Sequence, residues 1–340
     1  MLSTPHFLLT TPYTMHNLIT IGDAVIDTNL FIDDATLECD VNKQNCQICL
    51  NYADKIPLTD SFQALGGNAA NVAIAATKLG LTSAILASVG NDANGKMIQD
   101  ELEKKFVNTN LLSLDKKIKT RYSVILNFKK ERTILSYHQK RAYDFPKNLP
   151  ESDWIYYTSL SEGYETLQEN LLKFLNKHKS TRLAYSPGSI QLKNLDLAKE
   201  VLSRADLLII NLEEAEKLLG TTLNKEKSVR ALIHGLLKAG TKEAVITNGA
   251  EGAWAGNAEN VWHTKSFPVE VVSKTGAGDA FSAGYLSARF YGHGITTALS
   301  WGIANSCAAI SSPGQEKNIL NKKEITKMIS KFSSIKPTSV

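Results

Sequence analysis

Near its end, the chain carries the stretch TGAGDAF (residues 275–281), in which two glycines and a carboxylate precede residues typical of a helix. Gly276, Ala277 and Gly278 would leave their backbone N–H groups accessible, and the dipole of a following helix would add partial positive charge there. Such a turn is suited to binding an anion. Asp279 stands in the first turn of the predicted helix, where its carboxylate could take a proton from a nearby hydroxyl group.

An anion site beside a base meets the needs of phosphoryl transfer. The attacking hydroxyl must lose a proton while negative charge spreads over the phosphoryl oxygens, and N–H donors stabilise that charge. A simpler interpretation is that Asp279 caps the helix and that the glycines only form a tight turn. The stretch alone does not separate the two interpretations.

Two other phosphate-binding patterns are absent from the sequence. No early G-x-G-x-x-G is followed by an acidic residue about 20 positions further on, which argues against a nicotinamide-dependent oxidoreductase. No glycine-rich loop ends in Gly-Lys-Ser/Thr, so the P-loop nucleotide-binding class is excluded as well.

The composition is that of a globular protein, with 340 residues of which 43% are hydrophobic. The formal net charge of +4 comes from basic residues spread along the chain, so we expect no binding to nucleic acid. No apolar run is long enough to span a bilayer, so no membrane partner is expected. The start of the chain lacks the basic region of a signal peptide. The sequence therefore predicts a cytoplasmic protein, with residues 1–14 as a disordered extension.

The cysteines Cys39, Cys46 and Cys49 lie close together in the sequence, and Cys307 lies apart. In a reducing compartment we expect them to be unpaired thiols. Three thiolates could also begin a zinc site, but no second C-x-x-C pair and no suitably spaced histidine completes one.

Strand-like and helix-like runs alternate from about residue 150 onward, which predicts a parallel sheet covered by helices. The stretch NLITIGDAVID predicts a first buried strand that leads to a turn and ends at Asp27. Short alternating runs within 28–65 and 119–140 predict strands outside the main sheet. The expected fold class is therefore α/β, a doubly wound, mostly parallel sheet flanked by helices, as one domain over 15–335 with a small β-sheet lid.

Four motifs in this order resemble the ribokinase-like (phosphofructokinase-B) family of small-molecule kinases, and the resemblance runs from about Leu18 to Ile329. They are TGAGDAF, GGNAANVA (66–73), NLEE (211–214) and TNGAEG (247–252). In that family the aspartate of the first motif is the catalytic base. By this resemblance Asp279 would deprotonate the acceptor hydroxyl, and the turn of Gly276, Ala277 and Gly278 would hold the transferring phosphoryl group.

The resemblance also implies an acceptor site. Gly66, Gly67 and Asn71 would orient the acceptor, and Asp27 would accept hydrogen bonds from two of its hydroxyls. Glu162 falls where some relatives have a further substrate contact. As alternatives, Asp27 could cap the turn after its strand, and Glu162 could be without a role.

The remaining motifs imply binding of ATP and Mg²⁺. Asn211 and Glu214 would act on magnesium through water, with Glu214 as the nearest group to the metal, or would simply form the first turn of a surface helix. The residues expected along the nucleotide are Thr247, Gly249, Gly252 and Asn305. As alternatives, the two glycines could form a hairpin turn and Asn305 could be a buried amide.

The chain departs from the family pattern at two places. Ser273 and Lys274 replace the usual Asp-Thr before TGAGD, and the missing carboxylate argues against activation by a monovalent cation. We hypothesise that Lys274 instead supplies positive charge near the phosphates. Val25 stands where ribose-specific relatives carry asparagine, which argues against ribose as the acceptor.

The expected function is an ATP- and magnesium-dependent kinase that phosphorylates a hydroxyl of a sugar. The alternatives are a nucleoside kinase of the same fold, the lidless vitamin-precursor kinases, and a sensor that binds nucleotide or sugar without turnover. Because related kinases with exposed lids pair through them, the resemblance also implies a homodimer.

Overall fold

A large twisted sheet forms the centre of the molecule. The computed structural model describes residues 15–40, 46–129, 131–222, 228–273, 275–311 and 318–340. Its strands are β1 (His16–Ile21), β2 (Val25–Phe31), β3 (Thr36–Cys39), β4 (Cys46–Cys49), β5 (Asp60–Gly66), β6 (Ser83–Gly90), β7 (Leu112–Asp115), β8 (Tyr122–Phe128), β9 (Glu131–Tyr137), β10 (Ser152–Tyr157), β11 (Arg182–Tyr185), β12 (Leu207–Asn211), β13 (Ala244–Thr247), β14 (Ala253–Gly256), β15 (Val261–Thr264) and β16 (Thr338–Ser339).

Helices connect most of these strands. They are α1 (Asn68–Lys78), α2 (Ala93–Lys104), α3 (Glu165–Lys177), α4 (Leu195–Arg204), α5 (Leu212–Leu219), α6 (Val229–Lys238), α7 (Ala277–Phe290), α8 (Ile295–Ile310) and α9 (Lys322–Lys331). No helix in the described ranges is both long enough and apolar enough to cross a bilayer.

The large sheet has ten strands in the order β16-β15-β14-β13-β12-β11-β10-β1-β6-β7. Neighbours from β13 to β7 are parallel, and β14, β15 and β16 complete one edge in antiparallel pairs. The predicted doubly wound, mostly parallel sheet is confirmed. The last strand lies beyond residue 335, where the predicted domain ended.

The two faces of this sheet are buried by different helices. Along β10, Trp154 and Tyr156 pack on one face with α1, α7 and α8, whereas Ile155 and Tyr157 pack on the other with α3. This alternation follows from the period of two in a strand. Because both faces are covered, the central strands are apolar along most of their length, and this is the pattern that made them recognisable in the sequence.

A second, smaller sheet of the order β5-β2-β8-β9 stands outside the large one. It confirms the strands expected in the two insertions, including the β8–β9 hairpin. The first strand does not continue to Asp27, and that prediction was wrong. The chain turns at residues 22–24, and Asp27 lies within β2 of the small sheet, opposite Ala64. The turn begins with Gly22, where a Cβ would come within 2.7 Å of Thr158.

The expectation of unpaired thiols in the cysteine-rich segment was also wrong. Strands β3 and β4 form a separate hairpin in which Cys39 lies directly opposite Cys46. With Cα atoms 4.0 Å apart, the two residues form a disulfide. Cys49 is half-buried and unbridged, and Cys307 is buried. Two of the three clustered thiols are therefore not available to a metal ion.

Asp92 ties the base of the small sheet to the large one. Its carboxylate accepts hydrogen bonds from the amide of Gly95, in the first turn of α2, and from the amide and hydroxyl of Thr120, at 2.6–2.9 Å. Thr120 lies two residues before β8. Burial alone would raise the pKa of Asp92, but the hydrogen bonds from Thr120 and from the amides of Gly95 and Asn94 outweigh it and lower the pKa.

We expect Asp92→Ala to lower the free energy of unfolding by about 1–2 kcal/mol at pH 7, the cost of a lost helix cap with its further hydrogen bonds. Because the pKa is lowered in the folded state, this contribution is present above the unfolded pKa and is lost as the pH falls through the folded one. Urea unfolding at pH 7 and pH 3 measures it. A difference between variant and wild type that stays constant over this range would contradict the assignment.

Candidate active site

A cavity of about 570 Å³ opens at the carboxyl ends of the parallel strands. Strands β1, β10, β11, β12 and β13 all end at it, and it is there that open parallel sheets bind their ligands. The residues at or just beyond these ends are Asp23, Ser159, Ser186, Asn211 and Thr247, and all of them line the cavity.

Helix α7 begins at the same cavity. The residue before it, Gly276, has a φ of 75°, which lies in the left-handed region that favours glycine. Among the described residues no side-chain hydrogen bond caps this helix at Gly276, and the start of a helix leaves backbone N–H groups without a partner inside the helix. Gly276 and Gly278 line the cavity together with Asp279. The turn therefore offers backbone donors to an anion beside a carboxylate.

Asp279 is held by a residue that is distant in the sequence. The side-chain amide of Asn71, on α1, donates a hydrogen bond of 2.7 Å to its Oδ2. Behind it, burial and then the negative charge of Asp279 raise the pKa of Tyr156 to about 12. The phenol is therefore neutral at physiological pH, and Asp279 is the group of this pair that can accept a proton.

The small sheet forms the opposite wall. Asp27 on β2, Ser123 on β8 and His138 just after β9 line the cavity beside Asn71. Asn71 thus contacts Asp279 and also lies beside the wall that the small sheet provides. We name the two parts of the cavity after the roles that the motif resemblance implies. The part lined by residues 23–71 and 121–138 is the acceptor half, and the part lined by residues 159–282 is the nucleotide half.

Within the acceptor half lies an ion pair that sequence reasoning did not place there. Asp23 and Arg121 form a salt bridge in which both side chains are largely buried. Tyr143 donates a hydrogen bond of 3.2 Å to the other oxygen of Asp23. Burial raises the pKa of Asp23 by more than the charge of Arg121 lowers it. The Gly-Asp break in the first strand was the available signal for Asp23, but nothing in the sequence indicated its partner.

Arg121 also approaches a histidine. Its Nη2 lies 3.3 Å from Nε2 of His138, and burial together with the charge of Arg121 lowers the pKa of His138. The Nε–H of Arg121 is buried and finds no acceptor among the described residues. This wall of the cavity therefore presents a cationic group and a neutral imidazole to a ligand.

Two adjacent glycines allow close contacts within the acceptor half. Gly67 has a φ of 94°, and a Cβ there would lie 2.4 Å from the carbonyl oxygen of Asp23. At Gly66 a Cβ would lie 2.4 Å from Oδ2 of Asp27, so this carboxylate lies directly over the glycine. Gly67 lines the cavity, whereas Gly66 acts one step removed, through Asp27.

Asn211 and Glu214 form a reciprocal capping box at the start of α5. The Glu214 amide donates to Asn211 Oδ1 at 2.8 Å, and the Asn211 amide donates to Glu214 Oε2 at 3.0 Å. They are thus the first turn of a helix, as the simpler interpretation held, and they also line the cavity. Burial raises the pKa of Glu214, and the charge of Glu213 adds to this against the hydrogen bonds from Asn211.

The TNGAEG stretch is the turn between β13 and β14. Thr247 ends β13 and lines the cavity. Gly249 begins a 3₁₀ turn, Gly249–Glu251, and has open space around its Cβ position. Gly252 has a φ of 90° and approaches the carbonyl of Thr264, where a Cβ would lie at 2.0 Å. Both glycines therefore shape the hairpin, and neither lines the cavity.

The structure brings most of the predicted site residues into one cavity. Those that line it are Asp27, Gly67, Asn71, Asn211, Glu214, Thr247, Gly276, Gly278 and Asp279. Those that do not are Gly66, Ala277, Glu162, Gly249, Gly252 and Asn305.

Two of the latter residues have other surroundings. Asn305 is fully buried. Its side-chain amide donates a hydrogen bond of 2.7 Å to the carbonyl of Ala280, and its side-chain oxygen accepts one of 2.9 Å from the amide of Leu320. It is therefore a buried amide that joins α8 to α7 and to the segment before α9. Glu162 is exposed, and its carbonyl accepts a hydrogen bond from the amide of Arg141. Residues 1–14 and Lys274, for which we predicted a disordered extension and a phosphate contact, lie outside the described residues.

Known proteins share this architecture. The chain is 25% identical over 338 residues to 5-dehydro-2-deoxygluconokinase from Halalkalibacterium halodurans, with 94% of this chain and 96% of the relative covered. Arabidopsis thaliana ribokinase complexed with ribose and ATP superposes with a TM-score of 0.76 at 19% identity, covering 93% of this chain and 99% of that one. A putative ribokinase II from E. coli in complex with ATP and Mg²⁺ gives a TM-score of 0.73 at 19% identity, with 93% and 100% covered.

The sequence itself also matches a known family. Residues 27–322 match the pfkB family of carbohydrate kinases, a span that contains all four motifs and most residues that line the cavity. The resemblance first seen in the four motifs is therefore confirmed, and the chain belongs to the pfkB family of carbohydrate kinases.

Proposed function

We propose that this protein transfers the γ-phosphoryl group of ATP to a hydroxyl group of a sugar, with Asp279 as the general base. The observation that carries the proposal is the shared cavity. Asp279 and the uncapped start of α7 lie on one side, and Asp27 and Asn71 lie within reach of an acceptor on the other.

The proposed step uses few groups of the chain. The acceptor hydroxyl gives its proton to Asp279, and its oxygen bonds to the γ-phosphorus as the bond to the leaving ADP breaks. The backbone N–H groups of Gly278 and its neighbours in the first turn of α7 stabilise the charge that spreads over the phosphoryl oxygens. Asn71 keeps the carboxylate of Asp279 oriented through its 2.7 Å hydrogen bond.

The nucleotide half contains groups that fit a magnesium–ATP complex. No cluster of three side chains in the described ranges could hold a metal ion by itself. Magnesium in kinases is held mainly by the phosphates with one or two carboxylates, and Glu214 is a half-buried carboxylate on the cavity wall. One of its oxygens is used by the capping box, so we assign the other to water on the metal. When bound, Mg²⁺ neutralises charge on the phosphates.

The acceptor half is better suited to a sugar than to a nucleoside. Carboxylate, amide, hydroxyl and guanidinium groups line it, and these recognise several hydroxyls at once. In the described residues no phenylalanine, tyrosine or tryptophan lines it, so a nucleobase would find none of these rings on which to stack. The proposal therefore places sugars and their oxidised or phosphorylated derivatives before nucleosides.

The test is ADP release from Mg-ATP across free sugars, sugar acids, sugar phosphates and nucleosides. Strong release with one sugar-class acceptor supports the proposal and identifies the substrate. Release only with a nucleoside would replace the sugar with the alternative acceptor. ATP binding without release on any acceptor would favour a sensor and overturn the proposal.

Glu214 offers a test of the magnesium assignment. We expect Glu214→Gln to raise the Mg²⁺ concentration for half-maximal activity by about tenfold, because an outer-shell carboxylate is lost while the capping acceptor is kept. The matched control is Glu324→Gln, since Asn321 and Glu324 form the same capping box on α9, away from the cavity. Equal magnesium dependence of both variants would remove Glu214 from the metal's surroundings.

A further inference from the structure

A second cleft, of about 350 Å³, lies at the amino ends of parallel strands of the large sheet. Arg182 and Leu207 are the first residues of β11 and β12, and Glu243 directly precedes β13. These three strands end at the catalytic cavity, so the cleft lies at their far ends. The residues that line it are Trp154, Arg182, Asp206, Leu207, Lys242, Glu243, Asn257 and Arg289.

The two carboxylates of this cleft are largely buried, and both already have hydrogen-bond and ion-pair partners within the protein. Asp206 has 11% of its side chain exposed and accepts from Lys242 at 2.6 Å and from the amide of Leu183 at 2.8 Å. Glu243, at 9%, accepts from Tyr285 at 2.6 Å and pairs with Arg289 at 3.0 Å. Burial raises the pKa of Glu243, against the lowering effect of Arg289. Both carboxylates therefore lie below the opening of the cleft and are shielded from solvent.

The three cations are more exposed than the carboxylates. The side chain of Lys242 is 77% exposed and that of Arg289 is 29% exposed, whereas Arg182 is an exposed residue. The side chains of Arg182, Lys242 and Arg289 thus surround the opening of the cleft, and the two paired carboxylates lie beneath them. The surface that a solute meets is cationic.

Arg182 is fixed in place while its donors stay unused. Its guanidinium lies 4.3 Å from the ring centre of Trp154, an aromatic side chain that is almost fully buried. Among the described residues Arg182 forms no salt bridge and no side-chain hydrogen bond, because the nearby Asp206 pairs with Arg204 and Lys242 instead. Asp153 and Asp206 still act on Arg182 through their charges. Stacking occupies the face of a guanidinium and leaves the in-plane N–H groups for an acceptor such as a phosphate oxygen.

The charges around Arg182 are of both signs, and a second guanidinium group lies among them. Burial lowers the pKa of Arg182. The negative charges of Asp153 and Asp206 oppose this effect, and the positive charge of Arg289 adds to it. Arg182 and Arg289 therefore repel each other across the cleft. An anion between them would be attracted to both and would relieve that repulsion.

We propose that this cleft is a second anion site, which binds the phosphate or diphosphate group of a small metabolite through Arg182, Lys242 and Arg289. It is separate from the catalytic cavity and does not depend on the acceptor that the enzyme phosphorylates. Asn257 at its rim supplies an amide that can donate to an uncharged part of the same ligand.

The test is calorimetric titration of the whole protein with sodium pyrophosphate at constant ionic strength. We expect two binding events in the wild type, one at the start of α7 and one in the cleft. Arg182→Gln is expected to weaken one event by at least about tenfold and to leave the other unchanged, because a hydrogen-bonded charge is lost at one site only. Lys242→Gln is expected to weaken the same event.

The matched control is Arg132→Gln, which removes an exposed strand arginine from the small sheet, outside both cavities. An unchanged thermal unfolding midpoint shows that each variant is folded. Titrations of Arg182→Gln and Lys242→Gln that both match the wild type would overturn the proposal. Comparing inorganic phosphate with glycerol phosphate then separates a site for the free anion from a site for a phosphate ester.

Discussion

Replacing Asp279 with asparagine is expected to lower the turnover number by about 10² to 10⁴, the usual contribution of a general base. Asparagine keeps the size of the side chain, and its carbonyl oxygen can still accept the hydrogen bond that Asn71 donates to Asp279. Only basicity and negative charge are lost. The Michaelis constant for ATP is therefore expected to change much less than the turnover number.

The matched control is Asp196→Asn, because Asp196 is also an aspartate in the first turn of a helix, α4, and is exposed away from the cavity. We expect it to keep wild-type turnover. Steady-state ADP release with the best acceptor measures both variants. Turnover of Asp279→Asn within about tenfold of the wild type would remove Asp279 from the role of base. Its structural role would then be the hydrogen bond with Asn71.

Replacing Gly66 with alanine is expected to raise the Michaelis constant for the acceptor by about 10- to 100-fold. The added Cβ would lie 2.4 Å from Oδ2 and 2.8 Å from Cγ of Asp27, so this carboxylate must leave its position in the acceptor half. The expected loss corresponds to a hydrogen bond with a charged group, about 1.5–3 kcal/mol. The Michaelis constant for ATP should remain unchanged, since the nucleotide half is not affected.

Two variants show whether the effect runs through Asp27. Asp27→Ala should raise the same constant, and the double variant Gly66→Ala/Asp27→Ala should be no worse than Asp27→Ala alone. Gly294→Ala is the control glycine, since nothing lies within 4 Å of its Cβ position. Additive losses in the double variant would mean that Gly66 acts by another route than Asp27.

The parallel core was predictable because burial on both faces leaves a simple mark on the sequence. Strands such as β10 and β12 consist mainly of consecutive apolar residues between helical segments, and the glycine turns before α1 and α7 are visible as motifs. The carboxyl ends of the strands then had to share one edge, and this brought Asn211, Thr247 and Asp279 together.

What could not be predicted depends on contacts between distant segments. The strand break before Asp27 follows from close packing of Gly22 against Thr158, which lies 136 positions later. The ion pair of Asp23 and Arg121 depends on how the small sheet is attached to the large one. The disulfide depends on the register of the β3–β4 hairpin, which places Cys39 opposite Cys46. Spacing in the sequence does not encode such registers.

The two halves of the cavity come from different stretches of the chain. Residues 23–71 and 121–138 line the acceptor half, residues 159–282 line the nucleotide half, and the hydrogen bond from Asn71 to Asp279 crosses between them. Recombination between kinases of this architecture at a point near residue 150 would therefore exchange the first part of the cavity, together with Asn71, while keeping Asp279 and the turn before α7. Substitutions could accumulate in the first stretch of the chain while the second stretch stays unchanged. A chimeric gene joined near residue 150 would be a practical way to change which molecule the first part of the cavity binds.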